Sequence, residues 1–347
     1  MRLSVKRRQL PLPSVVVATI LAGFVLAMIL AGCGGGSSTT SAPASKQTDP
    51  SPQQHKSHPR VVIPLAAATA GQLPAGVQWP ATAAVGGRVL LMGGLDQATA
   101  SVDDIISASP GSIQRVGTLP YVVHDAAGAS LRGQAYLFGG GEPSFSDILA
   151  VDPTGHATVA GHIPAAASDV AAAVIGGTVY VVGGYTGTVP LDTIVAWSGS
   201  GTGRVVGHLP HPVRYAAVAA INNRLIIAGG TSGDVATREV YSFDPATGNV
   251  RQIGLLAREL THAAGATLDG RVYVIGGRGG LQGTQTNAIL SVDPTTGRVR
   301  PAGRLPVGLS DVGAAAIAGG VMVAGGRESS GELSHQVYML RPRTGAP

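Results

Sequence analysis

The chain of 347 residues predicts an all-β fold, a six-bladed β-propeller of four-stranded antiparallel blades closed by the N-terminal strand. Three observations carry that expectation. A Gly-Gly doublet recurs at Gly93-Gly94, Gly139-Gly140, Gly183-Gly184, Gly229-Gly230, Gly276-Gly277 and Gly325-Gly326, with first members 46, 44, 46, 47 and 49 residues apart. Each doublet closes a short apolar run, at residues 89–92, 135–138, 179–182, 225–228, 272–275 and 321–324. The unit between doublets is made of short strands, and a period of about 40–50 residues of this kind marks a radial array of sheets.

The N-terminus lies outside that repeat. Arg2, Lys6, Arg7 and Arg8 form a basic start, residues 15–30 are uncharged and apolar but for Thr19, and Leu30-Ala31-Gly32-Cys33 follows. This stretch of 16 residues falls short of the roughly 20 that span a bilayer, and small residues stand where a peptidase would cut. Cys33 directly after Leu-Ala-Gly resembles the lipobox of bacterial lipoproteins, which implies a signal peptide over residues 1–32 and a lipid on the Cys33 thiol. The expected location is the cell membrane, lipid-anchored on its extracytoplasmic side. Cys33 is also the only cysteine, so no intramolecular disulfide or thiolate metal cluster is available. Residues 34–59 contain no aromatic or large aliphatic side chain. Together with Cys33 they are expected to form a flexible tether (33–59), because too little apolar area is present to offset ordering entropy.

From residue 60 onward 18 arginines face 18 acidic residues, with no lysine. A neutral domain has no electrostatic footprint for nucleic acid, so none is expected as a partner.

Each blade over 60–347 opens with a corner, at 71–74 (GQLP), 117–120, 161–164, 207–210, 254–257 (GLLA) and 303–306. A strand rich in Ala and Gly follows, as at 126–129 and 216–220. These residues form strands poorly, so their density implies crowding at the propeller axis. Turn pairs such as Gly86-Gly87, Asn222-Asn223 and Asp269-Gly270 suit a type I′ hairpin into the apolar run. A variable loop leads to a third strand ending in Asp152-Pro153, Asp244-Pro245 or Asp293-Pro294. The D-x-[DN]-x-[DN]-G series of a calcium loop is absent, so these are turns. A fourth strand, as at 250–253, returns to the next corner. The last unit has its third strand at 337–340, a turn at 341–345 and no fourth strand, so residues 60–70 are expected to complete it.

On the doublets that follow an apolar run in all six units, residues 60–347 resemble the kelch-repeat propellers. The family's Tyr and Trp after the doublet have largely gone, with Tyr241, Tyr338 and Trp197 left on third strands. The resemblance implies a binding or interaction module, working as a monomer, for a protein or a cell-wall glycan on the loop face. It also admits an alternative, an exported sugar-active enzyme like a sialic-acid mutarotase.

There is no H-E-x-x-H, G-x-S-x-G or Walker loop, and no catalytic residue, metal site or cofactor is assigned. One constellation remains. Five residues past each corner lie Trp79, Asp125, Asp169, Tyr215, His262 and Asp311, preceded by Gln78, His124, Ser168, Arg214, Thr261 and Ser310. Equivalent positions in a six-fold ring form a circle, so Asp125, Asp169, Asp311, His262, His124, Arg214, Tyr215 and Trp79 are a candidate ligand-binding channel mouth. Convergence of the three aspartates would raise at least one carboxyl pKa by repulsion. The loops after the doublets, with Asp96, Glu142, Arg238, Arg278 and Arg327 among their charges, are expected on the same face.

Overall fold

A computed structural model describes residues 62–343, and they form six antiparallel four-stranded sheets and no helix. The expected signal segment 1–32, the lipidated Cys33, the tether 33–59 and the last four residues lie outside the described residues.

The first blade runs Ala81–Val85, Arg88–Met92, Asp104–Ser109 and Ser112–Thr118 from the axis outward. Four more repeat that order, with inner strands Ala127–Leu131, Ala171–Ile175, Ala217–Ile221 and Ala264–Leu268. The sixth takes Gly313–Ile317, Gly320–Ala324 and Gln336–Pro342 from the C-terminus and Leu65–Gln72 from the N-terminus. Leu65–Gln72 pairs antiparallel with Gln336–Pro342, from Leu65 opposite Pro342 to Gln72 opposite Gln336. The expected turn beginning at Arg341 is therefore still strand. Arg341 and Pro342 continue the ladder because Ala66 and Leu65 lie opposite them.

The apolar runs before the doublets are the second strands, and they are buried on both faces. In the sixth blade Val321 and Val323 pack toward the fifth blade, while Met322 and Ala324 pack toward the first. Six buried clusters arise this way, one between each pair of neighbouring blades. A strand covered on both faces needs continuous rather than alternating apolar residues.

Each corner glycine is the penultimate residue of the outer strand and follows a β-bulge, as at Arg115–Gly117 and Gln252–Gly254. The reason for glycine is room. A Cβ on Gly117 would stand 2.2 Å from the Gly155 carbonyl oxygen in the next blade. The Asp-Pro segments are Asx turns, with Asp152 Oδ1 accepting from the Thr154 and His156 amides at 2.8 and 3.1 Å. One addition was not expected: Gly201–Thr202 of the third blade pairs in parallel with Gly161–His162 of the second.

Candidate functional site

Alanine and glycine at the inner strands let the six blades converge. Thr82 Oγ1 of the first blade donates to the Ala314 carbonyl of the sixth at 3.0 Å, and Thr267 Oγ1 of the fifth to Ala220 of the fourth at 2.7 Å. Ala83, Ala129, Ala173, Ala219, Ala266 and Ala315, one per blade, wall an axial cavity of about 270 Å³. A second cavity of about 150 Å³ shares part of that wall and ends on Trp79, Asp125, Asp169, Tyr215, His262 and Asp311. All six equivalent residues thus meet at one end of the channel.

Their backbones share a conformation that the sequence did not reveal. Trp79, Asp125, Asp169, Tyr215, His262 and Asp311 have φ of 55°, 55°, 60°, 54°, 58° and 63°. This left-handed region costs an L-residue roughly 1–2 kcal/mol. The geometry is fixed by an arc of main-chain hydrogen bonds running from blade to blade. The amide of Asp169 donates to the Asp125 carbonyl at 2.8 Å, Tyr215 to Asp169 at 3.2 Å and His262 to Tyr215 at 3.1 Å. Asp311 donates to His262 and Trp79 to Asp311, both at 2.9 Å.

The three aspartates, alike in sequence, sit in three settings. Asp169 Oδ2 accepts from Arg214 Nε at 2.5 Å, and the guanidinium lies 4.4 Å over the Tyr185 ring. Asp311 accepts from Trp79 Nε1 and Ser310 Oγ, each at 2.5 Å. Asp125 is 8% exposed, and its Oδ1 has no hydrogen-bond partner. Its Oδ2 accepts a long bond from the Tyr215 hydroxyl at 3.5 Å and lies 3.9 Å from His124 Nε2, and the carboxyl also pairs with that of Asp169.

Burial is the larger cause of the resulting acidities. It pushes the Asp125 carboxyl well above the usual carboxylate range, and the neighbouring charges of Asp169 and Asp311 add to that rise. The expected repulsion is therefore present as the second contribution. Burial also raises Asp311, to about 6, against the hydrogen bond from Ser310 and the nearby Arg278.

Both histidines are neutral. Arg278 Nη2 donates to His262 Nε2 at 3.2 Å, so Nδ1 carries the ring proton and donates to Thr261 Oγ1 at 2.9 Å. Burial and the charges of Arg278 and Arg214 hold His262 down to about 2, so its 3.8 Å approach to Asp311 is no ion pair. His124 Nδ1 lies 2.8 Å from Ser101 Oγ, and burial lowers its pKa despite Asp169 and Glu142.

Rings of four residues gather over the axis. Tyr215 stacks on His262 with centroids 3.9 Å apart, and Trp79 lies 6.1 Å from both and 6.3 Å from His124. Arg214 reaches the Tyr215 hydroxyl at 3.2 Å.

The loops after the doublets border the same end. Gln78 pairs with Leu95, Ser168 with Tyr185, Arg214 with Thr231 and Thr261 with Arg278 through single antiparallel bridges, and Ser310 pairs with Arg327. In the second blade the Gly141 amide donates to the His124 carbonyl at 2.8 Å, so the residues directly after the doublets form a second ring around the first. Sequence reasoning did not single out Tyr185 or Ser101, although the constant offset from the doublet marks Tyr185 and Arg278 as equivalent. Among the described residues no group of three or more His, Cys, Asp or Glu is placed to hold a metal ion.

With this geometry in view, comparison with protein-family profiles matches the Kelch motif at residues 166–198, 212–254 and 260–306. These segments lie in the third, fourth and fifth blades, and with the six-bladed ring they support a kelch-repeat propeller. A propeller of this kind points to a protein-interaction module. No curated protein matches the chain.

Proposed function

We propose that the protein is a lipid-anchored extracytoplasmic interaction module whose loop-bearing face docks a protein partner. One observation carries the choice of face. Seven large apolar side chains are exposed among the described residues. Val122 lies in the connection from the first blade to the second, Val189, Val235 and Leu281 lie in the loops after the doublets of the third, fourth and fifth blades, all on the channel-mouth side, and they are 51%, 55%, 66% and 75% exposed. The other three, Val159, Val205 and Leu255, lie on outermost strands. Apolar tips held on a rigid ring form the kind of surface that protein partners cover, and they favour a protein over a glycan. The anchor rests on the lipobox at Cys33 and the neutral charge of residues 60–347.

The test is partner capture from detergent-solubilised membranes by full-length wild type and by the fourfold variant Val122→Ser, Val189→Ser, Val235→Ser, Leu281→Ser. The variant is expected to fold with an unchanged melting temperature and to lose the partners that wild type enriches. Equal enrichment by both would remove this face from the proposal. The sugar-active alternative needs an acid–base pair free to exchange protons. His262 has both ring nitrogens engaged, and the nearest other base, His124 Nε2, stands 3.9 Å from Asp125 Oδ2, beyond hydrogen-bond reach. Acceleration of anomer interconversion for common aldoses or sialic acids, followed by NMR, would reverse that judgement.

A further inference from the structure

We infer that the axial chamber takes the primary ammonium group of an aliphatic amine, free or as a lysine side chain of the partner. The inference deepens the interaction-module reading and rests on it for the second source only.

The first argument is what the six mouth positions decline to be. All six need a left-handed backbone, which glycine adopts at no steric cost and asparagine at little. The neighbouring doublets are glycine in every blade, yet not one mouth position is Gly or Asn. Trp79 and Tyr215 are bulky residues, for which such a φ is a true outlier. Their side chains are held there against a backbone cost, and strain of this kind gathers at functional sites.

The second argument is the inventory of free valences. Every side-chain donor that lines the chamber is already engaged: Trp79 Nε1 on Asp311, Thr82 Oγ1 on Ala314, the Tyr215 hydroxyl on Asp125 and His262 Nδ1 on Thr261. One lining side-chain atom is left buried without a partner, Asp125 Oδ1, and it is an acceptor. A polyol needs acceptors and donors together, whereas an ammonium brings donors only. A single free carboxyl oxygen, which a bound cation would hold ionised, also suits a point-like ammonium better than the two-pronged guanidinium of arginine.

Size and walls agree. A chamber of about 150 Å³ holds a group about as large as benzene. The Trp79 ring offers cation–π attraction, while Tyr215 is already stacked on His262 and covered by Arg214, and the alanine-walled channel beyond accommodates an alkyl stem. The Asp169 charge is already neutralised by Arg214, and Asp311 faces Arg278 and Arg327, so Asp125 is the acid that gains most from a new cation.

Calorimetry on the full-length protein in detergent, at constant ionic strength, tests this with n-butylammonium chloride, Nα-acetyl-lysine methylamide and glucose. Both amines are expected to bind saturably and glucose not at all. Asp125→Asn should weaken amine binding at least about tenfold, or about 1.4 kcal/mol. Binding of only one amine identifies the source, partner lysine or free amine. In wild type, NMR saturation transfer from the Trp79 and Tyr215 rings should reach the methylene beside the nitrogen; this readout does not depend on how a variant folds. No saturable binding of either amine, glucose binding in their place, wild-type affinity in Asp125→Asn or absent ring transfer would each overturn the inference. Partner capture that survives such a failure leaves the module reading intact. Amine binding with no partner captured sinks the module reading alone.

Discussion

Asp125 and Asp169 occupy equivalent positions in neighbouring blades, and their substitutions should act in opposite directions. Asp169 neutralises a half-buried guanidinium, so Asp169→Asn leaves Arg214 without its counter-charge. That should cost on the order of 1–3 kcal/mol, discounted for the partial exposure of Arg214. Asp125→Asn removes a buried carboxyl with a free oxygen, and stability should stay the same or rise. Denaturant melts of the two variants near neutral pH check the pair; a clear loss in Asp125→Asn would mean that Asp125 holds the fold together. The titrations give a second expectation. His262 stays neutral in the fold down to about 2, whereas the unfolded ring takes a proton below about 6.5. Its contribution is complete above about 6.5 and is lost as the pH falls toward 2. Asp311 runs the other way. Its carboxyl rises from 3.8 to about 6, so its contribution is present below about 4 and is lost as the pH climbs through about 6. His262→Gln should flatten the acid limb of stability against pH, and Asp311→Asn should reduce the loss between about 4 and 6, to which Asp125 also contributes. Urea midpoints over that range decide, and a wild-type slope in either variant counts against its assignment. The repeat made the six mouth positions legible. Which aspartate would find a cation was not, because Arg214 belongs to another blade and its reach depends on side-chain geometry.

At the scale of strands and turns, the period fixed where strands lie but not how they meet. The doublet offset located the second strands to within a residue, since an apolar run ending at a glycine is a local signal. The bulge before each corner glycine was invisible, because it answers to the turn of the next blade. Gly254 shows the constraint: a Cβ there would stand 2.2 Å from the Gly297 carbonyl oxygen, and backbone cannot step aside. Gly254→Ala should therefore destabilise the propeller by about 1–3 kcal/mol, read from denaturant midpoints. A neutral effect would mean that the blade interface yields more than its packing implies. The closing strand makes a stronger claim. Seven residue pairs tie Leu65–Gln72 to Gln336–Pro342, and Leu65 and Leu340 are buried in the seam with the fifth blade. Deleting residues 60–70 should cost several kcal/mol or yield aggregates through the opened edge. Deleting 34–59 should leave melting unchanged, since that stretch has no large apolar side chain to bury. Equal melting of the two deletions would refute closure by the N-terminal strand.

For the whole molecule, two kinds of information sit in different parts of the chain. The fold is written in residues 60–347 as a repeat, and repetition is what made it readable despite few aromatic residues. Aliphatic seams do the packing, with aromatic contacts concentrated where Tyr136, Phe138 and Trp197 meet between the second and third blades. The proposed cellular address rests on one motif, Leu30-Ala31-Gly32-Cys33. Among the described residues, six seams and the closing strand complete the core of the propeller. The two should therefore separate cleanly by mutation. Cys33→Ser removes the only thiol, so incorporation of radiolabelled fatty acid should vanish and the protein should appear as a secreted form or an uncleaved precursor. The melting transition of the propeller should not move, since no cysteine lies within it. Label retained by Cys33→Ser would end the lipoprotein reading. Loss of label together with a shifted melting transition would show that the anchor segment contributes to the fold, against the independence argued from the closed ring.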